Sequence, residues 1–407
     1  LTLFKDFFTN PHPLLLLLLF NKLQLSSYSY KKENTMKLKI KKEDFTRALQ
    51  SVQKVASNKS NNLSSENGLL IKAINDNIEI QANDYDMGIK TTVPGIIEES
   101  GEVFLWDPHL SELTRRIASE EIILTKSDSD SQMSIEGGKL KYRYMTMNTE
   151  DFNEVEVVEQ GYASFTTDSV ILKDLIDNTS YACATDTSRP VFTGTFLDVS
   201  GKSLSMVATD THRLALKSVT LDQPSTGDIQ AIIPGRLLSE VARQLPTDVP
   251  VVVKITAVRN YLAIQFGNVY IRTRLIEGTF PDYKRVIPTE FSNIITIRRN
   301  DFTAAVERIS IVAKDAQYNV INFDMADNQI HMNSQDPDHG VVEDSVECIM
   351  SGGNPLSISF NGRFILDVLK HCSKDEIFLK CRENSPMLIQ DKDTGNCVFV
   401  VTPMRAR

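Results

Sequence analysis

The sequence predicts an α+β chain built from three copies of one unit, and three observations carry that prediction. The stretches "IEIQANDYDMGI" from Ile78, "LSMVATDTHRLA" from Leu204 and "IHMNSQDPDHGV" from Ile330 each run alternating apolar residues into an aspartate. Those aspartates, Asp84, Asp210 and Asp336, are evenly spaced at 126 residues. Two helix-like segments recur in step with them, and short runs alternating at period two, such as "YLAIQFGNVYIRTRL", fill the gaps as strands. A period of 20–50 residues signals a solenoid; one this long signals repeated whole domains.

Taken in order, residues 1–35 differ from the rest. "PHPLLLLLLF" holds seven consecutive apolar residues, Leu14 to Phe20, against the ~18 or more that span a bilayer. The run is long enough for a signal-peptide core, but no A-x-A cleavage site follows in "SSYSYKKENT". Residues 1–35 are therefore expected to be upstream sequence or a disordered extension, with Met36 opening the first strand. The first helix of each copy reads from "EDFTRALQSVQKV", "TDSVILKDLIDNTSYA" and "NDFTAAVERISIVA". Each starts with an acidic residue suited to an N-cap. Phe45, Ala48, Leu49 and Val52 in the first, and Phe302, Ala305, Val306 and Ile309 in the third, fall on one helical face. The second helix reads from "DPHLSELTRRIAS", "PGRLLSEVARQLP" and "NGRFILDVLKHC", each opening at a Pro or Gly turn signal. The expected division is 36–161, 162–284 and 285–407.

Composition bounds the function. Apolar content of 41% and charged content of 24% over 407 residues are those of a globular chain with ample core. A net charge of −9 disfavours nucleic acid for the surface as a whole, though a basic patch can hide inside an acidic total. Basic residues do sit on the predicted helices, among them Arg47, Lys54, Arg115, Arg116, Arg236, Arg243, Arg308, Arg363 and Lys370. Interleaved acids allow a plain solvated face; alignment of the repeated helices would instead give one weakly positive surface able to attract phosphate without reading sequence. Five cysteines lack any C-x-x-C pairing, which fits a reducing compartment and no disulfide framework.

Asp210, His212 and Arg213 invite a catalytic reading, because a nucleophile–His–acid triad needs an acid and a His in reach. No G-x-S-x-G elbow, H-E-x-x-H pair or phosphate-binding glycine loop accompanies them. No metal, cofactor or catalytic residue is therefore expected. The aspartate recurs in all three copies and belongs to the fold, as a turn cap. His212 and Arg213 occur in the middle copy only, which points to one special site on a repeated scaffold. A hydrolase using Asp210 and His212, and a monomeric peptide-binding scaffold, are the rival readings.

"ATDTHRLA" (208–215), "IEGTFPDYKRVIP" (276–288) and the terminal "VVTPMRAR" (400–407), in this order on a threefold repeat, resemble the bacterial sliding clamp, the beta subunit of DNA polymerase III. The resemblance spans Met36 to Arg407. It implies three DNA-clamp domains, each with two helices packed on antiparallel sheets, and a head-to-tail homodimer that forms a six-domain ring around duplex DNA. It also implies a non-catalytic, cytoplasmic processivity factor. Its partners are the polymerase III catalytic subunit, the clamp loader, and other polymerases and repair proteins carrying clamp-binding peptides. Carried over residue by residue, the peptide pocket comprises Phe192, Thr209, His212, Arg213, Leu214, Pro281, Arg285, Val286, Pro386, Val400, Val401, Thr402, Pro403, Met404 and Arg405. Lys59 and Arg189 match DNA-contacting positions. Tyr142 and Tyr144 match one side of the ring seam, with Ile311 and Val312 of a second subunit opposite. The chain departs from the family pattern at Thr211, where Gly is common, and at Thr402, where an apolar residue is usual. It departs also in its Ala406-Arg407 ending and in "NNLSSENG", where the family has a Leu-Pro-Ile segment.

Overall fold

The computed structural model describes residues 35–56, 68–74, 76–106, 109–127, 131–313, 319–336, 340–353 and 355–404. Lys59, Arg405, residues 61–67 of the "NNLSSENG" segment, the Ala406-Arg407 ending and all of 1–34 lie outside the described residues. The described residues divide into two compact units, one comprising those between 35 and 84 and between 91 and 154, the other those between 85 and 90 and between 155 and 404.

In the first unit, Met36–Lys41 pairs antiparallel with Ile96–Glu99 on one side and Glu121–Lys126 on the other. Gln132–Gly137 and Leu140–Met147 extend the sheet. Strict alternation buries Met36, Leu38 and Ile40 on one face of the first strand, as period-two side chains must. Helix α1 (Lys42–Ala56) buries Phe45, Ala48, Leu49, Val52 and Val55, the face read from the sequence. It packs against α2 (Leu110–Arg116).

In the second unit the helix pair recurs twice, as α3 (Ser169–Asp177) with α4 (Gly235–Gln244) and α5 (Arg299–Ala313) with α6 (Gly362–Leu369). The expected acidic N-cap holds in the middle copy only, where Asp168 accepts from the Val170 amide at 2.7 Å. Glu43 and Asp301 sit inside the first turns of α1 and α5, because those helices begin earlier than the acids suggested. There they favour the positive end of the helix dipole. Both second helices open on a glycine for a packing reason. A Cβ at Gly235 would stand 2.9 Å from Cys183 Sγ, and one at Gly362 2.5 Å from Ile321 Cδ1.

A nine-stranded antiparallel sheet organises this unit. Its order is Ile229–Pro234, Gly194–Ser200, Ser203–Thr209, Arg213–Thr220, Cys397–Val401, Met387–Asp391, Glu376–Cys381, Asn293–Arg298 and Ile349–Ser351. The middle junction matters most: Arg213–Thr220 of the second repeat pairs directly with Cys397–Val401 of the third. Two repeats thus share one ladder, and the C-terminal strand is part of it. A four-stranded sheet ends on the edge strand Gly340–Glu347. All five cysteines are free. Burial pushes the Cys183 and Cys348 thiols up to about 11 and those of Cys381 and Cys397 up to about 12, which leaves them unreactive.

Candidate functional site

Asp210 is a turn residue. Asp210 Oδ1 accepts from the backbone N–H groups of His212 (3.0 Å) and Arg213 (2.9 Å), closing the turn between two strands. Its carboxylate therefore meets the His212 backbone, while the imidazole lies 6.0 Å from the Phe364 ring at an interplanar angle of 16°. That is not the side-chain pairing a triad needs, and the hydrolase reading loses the carboxylate that would orient His212.

The register Arg213↔Val401 and Leu214↔Val400 decides how the remaining site residues are shared out. Neighbouring residues on a strand point to opposite faces. On one face Leu214 and Val400 join Val207, Ile232, Phe280 and Tyr283 in an apolar cluster. The connector through 276–288 crosses this face. Phe192, in a short turn at Pro190–Thr193, meets Phe280 edge-on at 6.4 Å. Above the floor, Pro281 and Arg285 are exposed and Val286 is 53% exposed. Arg285 pairs with Asp282 at 2.9 Å. The tail closes one end: the Thr402 N–H and hydroxyl both donate to the His212 carbonyl, at 2.9 and 2.8 Å. Pro386 sits beside that end, preceding Met387, which pairs with Val401. Met404 bridges to Ser359, so the chain end is docked as far as Met404, with Pro403 half-buried between. Thr209 shapes the turn by donating to the Arg213 carbonyl at 2.7 Å.

Two residues expected in the pocket face the other way. Val401 is fully buried in the core of the third repeat and presents no surface to a ligand. Arg213 is engaged by protein. Its Nε and Nη1 donate to Asp210 (3.0 Å) and Asp367 (2.7 Å), and Nη2 donates to the Tyr181 carbonyl at 3.2 Å. The guanidinium also lies 4.9 Å from the Phe364 ring centre and 5.4 Å from that of Tyr181. It bolts the second repeat to α6 of the third. Phe280, Tyr283, Tyr181, Phe364 and Asp367 were missed by the sequence reading. Phe280 and Tyr283 stood inside the quoted connector, whereas nothing in the sequence marks Asp367.

Burial acts to raise the Asp367 carboxyl, but hydrogen bonds from Arg213 and Lys370 outweigh it and hold the carboxyl below its ordinary range. A carboxyl depressed in the folded state adds stability above its unfolded value, ~3.9, and loses it as pH falls through the folded value. Asp367→Asn is therefore expected to lower the urea midpoint at pH 7 and to converge on the parent only as the pH falls below the depressed folded value. A gap that persists unchanged at low pH would show that the charge is not what matters.

The predicted seam residues divide by exposure. Tyr142 is 44% exposed and Tyr144 only 6%, its ring 4.4 Å from that of Tyr142. Leu140–Met145 pairs on one side only among the described residues, with Gln132–Gly137. On α5, Ile311 is 68% exposed and Val312 half-buried. Arg189 is exposed, ahead of the Pro190–Thr193 turn. Among the described residues no cluster of three His, Cys, Asp or Glu side chains is placed to hold a metal, and no helix is long and apolar enough to cross a membrane.

Three family models cover the chain in order. They describe the N-terminal (36–156), central (166–282) and C-terminal (284–405) domains of the DNA polymerase III beta subunit. The chain belongs to the DNA polymerase III beta subunit family. It is similar to the beta sliding clamp of Bacillus subtilis, 26% identical over 91% of this chain and 100% of that one. It is also similar to that of Chlamydia muridarum, 30% identical over 83% and 90%. The solved Bacillus subtilis clamp superposes with a TM-score of 0.86 at 26% identity, covering 91% of this chain and all of the other. A Bartonella birtlesii clamp bound to griselimycin gives 0.85 at 26% identity and the same coverage.

For a beta subunit, Thr211 now has a geometric meaning. Its φ is +77°, in the left-handed region that glycine enters freely and a β-branched residue does not. The strain is ~1–2 kcal/mol, and the entropy glycine loses on folding offsets ~0.5–1 kcal/mol of it. Thr211→Gly is expected to raise stability by up to about 1 kcal/mol, read as a higher urea midpoint. A lower midpoint would mean that the Thr211 side chain contributes contacts beyond its backbone.

Proposed function

We propose that this chain, a sliding clamp of DNA polymerase III, closes head-to-tail with a second copy into a six-domain ring around duplex DNA. The ring holds DNA topologically, without sequence preference. It tethers the replicative polymerase, the clamp loader and repair proteins through the groove between the second and third repeats. The observation that carries this reading is the run of three clamp-domain matches over 36–405 together with whole-length likeness to solved clamps. The chain acts in the bacterial cytoplasm as a non-catalytic subunit. ATP hydrolysis belongs to the loader, since no phosphate loop occurs in the sequence. Persistence comes from closure, so a weakly basic inner wall, with Lys59 and Arg189 among its contacts, suffices.

In the groove, Leu214, Val400 and Phe280 form an apolar floor for leucine and aromatic side chains of a short linear peptide. Pro281, Val286, Phe192 and Met404 flank it; His212, Thr402 and Arg285 supply polar groups at the rim. Val286→Glu places a charge on this rim without touching the core. Binding of a Leu/Phe-containing clamp peptide is expected to weaken roughly tenfold or more with the urea midpoint unchanged. Unaltered affinity would remove Val286 from the site.

The decisive experiment loads the protein onto nicked circular DNA and measures retention before and after linearising the circle. Retention on the circle and loss from the linear form support a ring. Equal retention on both means ordinary electrostatic binding, and absence from both under competent loading favours the monomeric scaffold.

A further inference from the structure

Phe280 also lines a cavity of about 380 Å³ whose lining includes neither Leu214 nor Val400, within the ~300–1,000 Å³ range of ligand pockets. Its apolar part is made by Phe196, Ile232, Ile276 and Phe280. The Phe196 and Phe280 rings stack at 5.0 Å and 5°, which fixes that wall. Phe280 is therefore a partition: it belongs to the cluster under the groove and it lines the cavity. The mouth carries Arg259, Arg274 and Glu277. Neither arginine makes an ion pair among the described residues; Arg274 instead stacks 4.6 Å from the centre of the exposed Tyr85 ring. Two cations against one acid leave a net positive mouth over an apolar floor.

We propose that this cavity is a second anchor for the same partner peptides, taking a large apolar or aromatic side chain directly next to an Asp or Glu. The inference rests on the groove reading, because Phe280 is common to the cluster of Leu214 and Val400 and to the lining of this cavity. An apolar side chain gains by leaving water for the Phe–Ile floor, and the neighbouring carboxylate meets Arg259 beside a low-dielectric wall. A nucleic-acid strand fits less well. It needs a stripe of cations along its backbone, and Glu277 breaks the only pair present.

The test uses the full chain and two exposed-site variants, Arg259→Glu and Thr279→Trp, with circular dichroism checking the fold. A core Leu/Phe clamp peptide is compared with the same peptide extended at either end by Trp-Glu. One extension is expected to bind about tenfold tighter than the core. Both variants are expected to erase that gain while leaving core affinity unchanged. No gain from either extension, or a gain retained in Arg259→Glu, overturns the inference. N-acetyl-Trp-Glu alone, followed through the Ile276 and Thr279 resonances, separates the two readings. If it shifts them while the core peptide fails to bind, the groove reading falls and the cavity stands. If it leaves them unmoved, the cavity falls whatever the groove does. Shifts produced by an oligo-dT instead, and abolished by Arg259→Glu, would overturn the peptide assignment in favour of a nucleic-acid contact.

Discussion

Replacing Arg213 by Ala is expected to destabilise the second unit by about 3 kcal/mol, the cost of removing one partner from a largely buried ion network. The Arg213 side chain is only 11% exposed and satisfies three acceptors at once: Asp210, Asp367 and the Tyr181 carbonyl. Without it, Asp210 keeps its desolvation and loses its cation, and Asp367 is left with the exposed Lys370 alone among its cations. Arg213→Lys should recover only part of the loss, since an ammonium replaces a planar fork that reaches two carboxylates in different repeats. Urea titration followed by far-UV circular dichroism gives the size. A double-mutant cycle with Asp367→Ala gives the coupling, expected at ~1–3 kcal/mol for groups in direct contact. Because the bolt joins the second repeat to α6 of the third, limited proteolysis should begin near the joint in the variant. A loss under about 1 kcal/mol would mean that the shared ladder, not the arginine, holds the repeats together.

The second large effect concerns closure. Exchanging Ile311 for Arg is expected to weaken the proposed subunit seam by about 2 kcal/mol or more, roughly thirtyfold in Kd, and to abolish retention on circular DNA. The variant should fold normally, because Ile311 points into solvent from α5 in the single chain. In the proposed ring, two edges are candidates for the seam. Leu140–Met145 carries Lys141 and Arg143 beside Tyr142, and Gly340–Glu347 carries Glu343, Asp344 and Glu347 beside the exposed Val341. One basic edge and one acidic edge on different parts of the same chain suit a heterologous, head-to-tail contact and oppose a like-with-like one. Arg143→Glu should therefore raise the dimer Kd, and adding Glu343→Arg should restore it in part. Analytical ultracentrifugation of the three proteins reads this directly. A single-charge variant that dimerises as well as the parent would remove these edges from the seam.

The repeat was legible because each element has a period of its own. The apolar alternation of Met36–Lys41 and the helical spacing of Phe45, Ala48, Leu49 and Val52 are imposed by backbone geometry within a few residues. The Asp210 turn was legible for the same reason, since its hydrogen bonds close within three residues. Helix starts were less so. Glu43 and Asp301 mimic caps, but the strand before each helix runs straight into it and the helix begins one or two residues early.

The site was half legible. Leu214 and Val400 meet in one apolar cluster, whereas Arg213 and Val401 pack on the opposite face of the ladder, and Asp367 arrives unannounced. Sequence by itself determined the three repeats, their helices and strands, and the family, since local periodicity and motif order survive at 26% identity. Only the tertiary structure decided which face each site residue takes. That choice is set by the register between Arg213–Thr220 and Cys397–Val401, strands about 180 residues apart that meet in one ladder, and a shift of one residue would exchange the two faces.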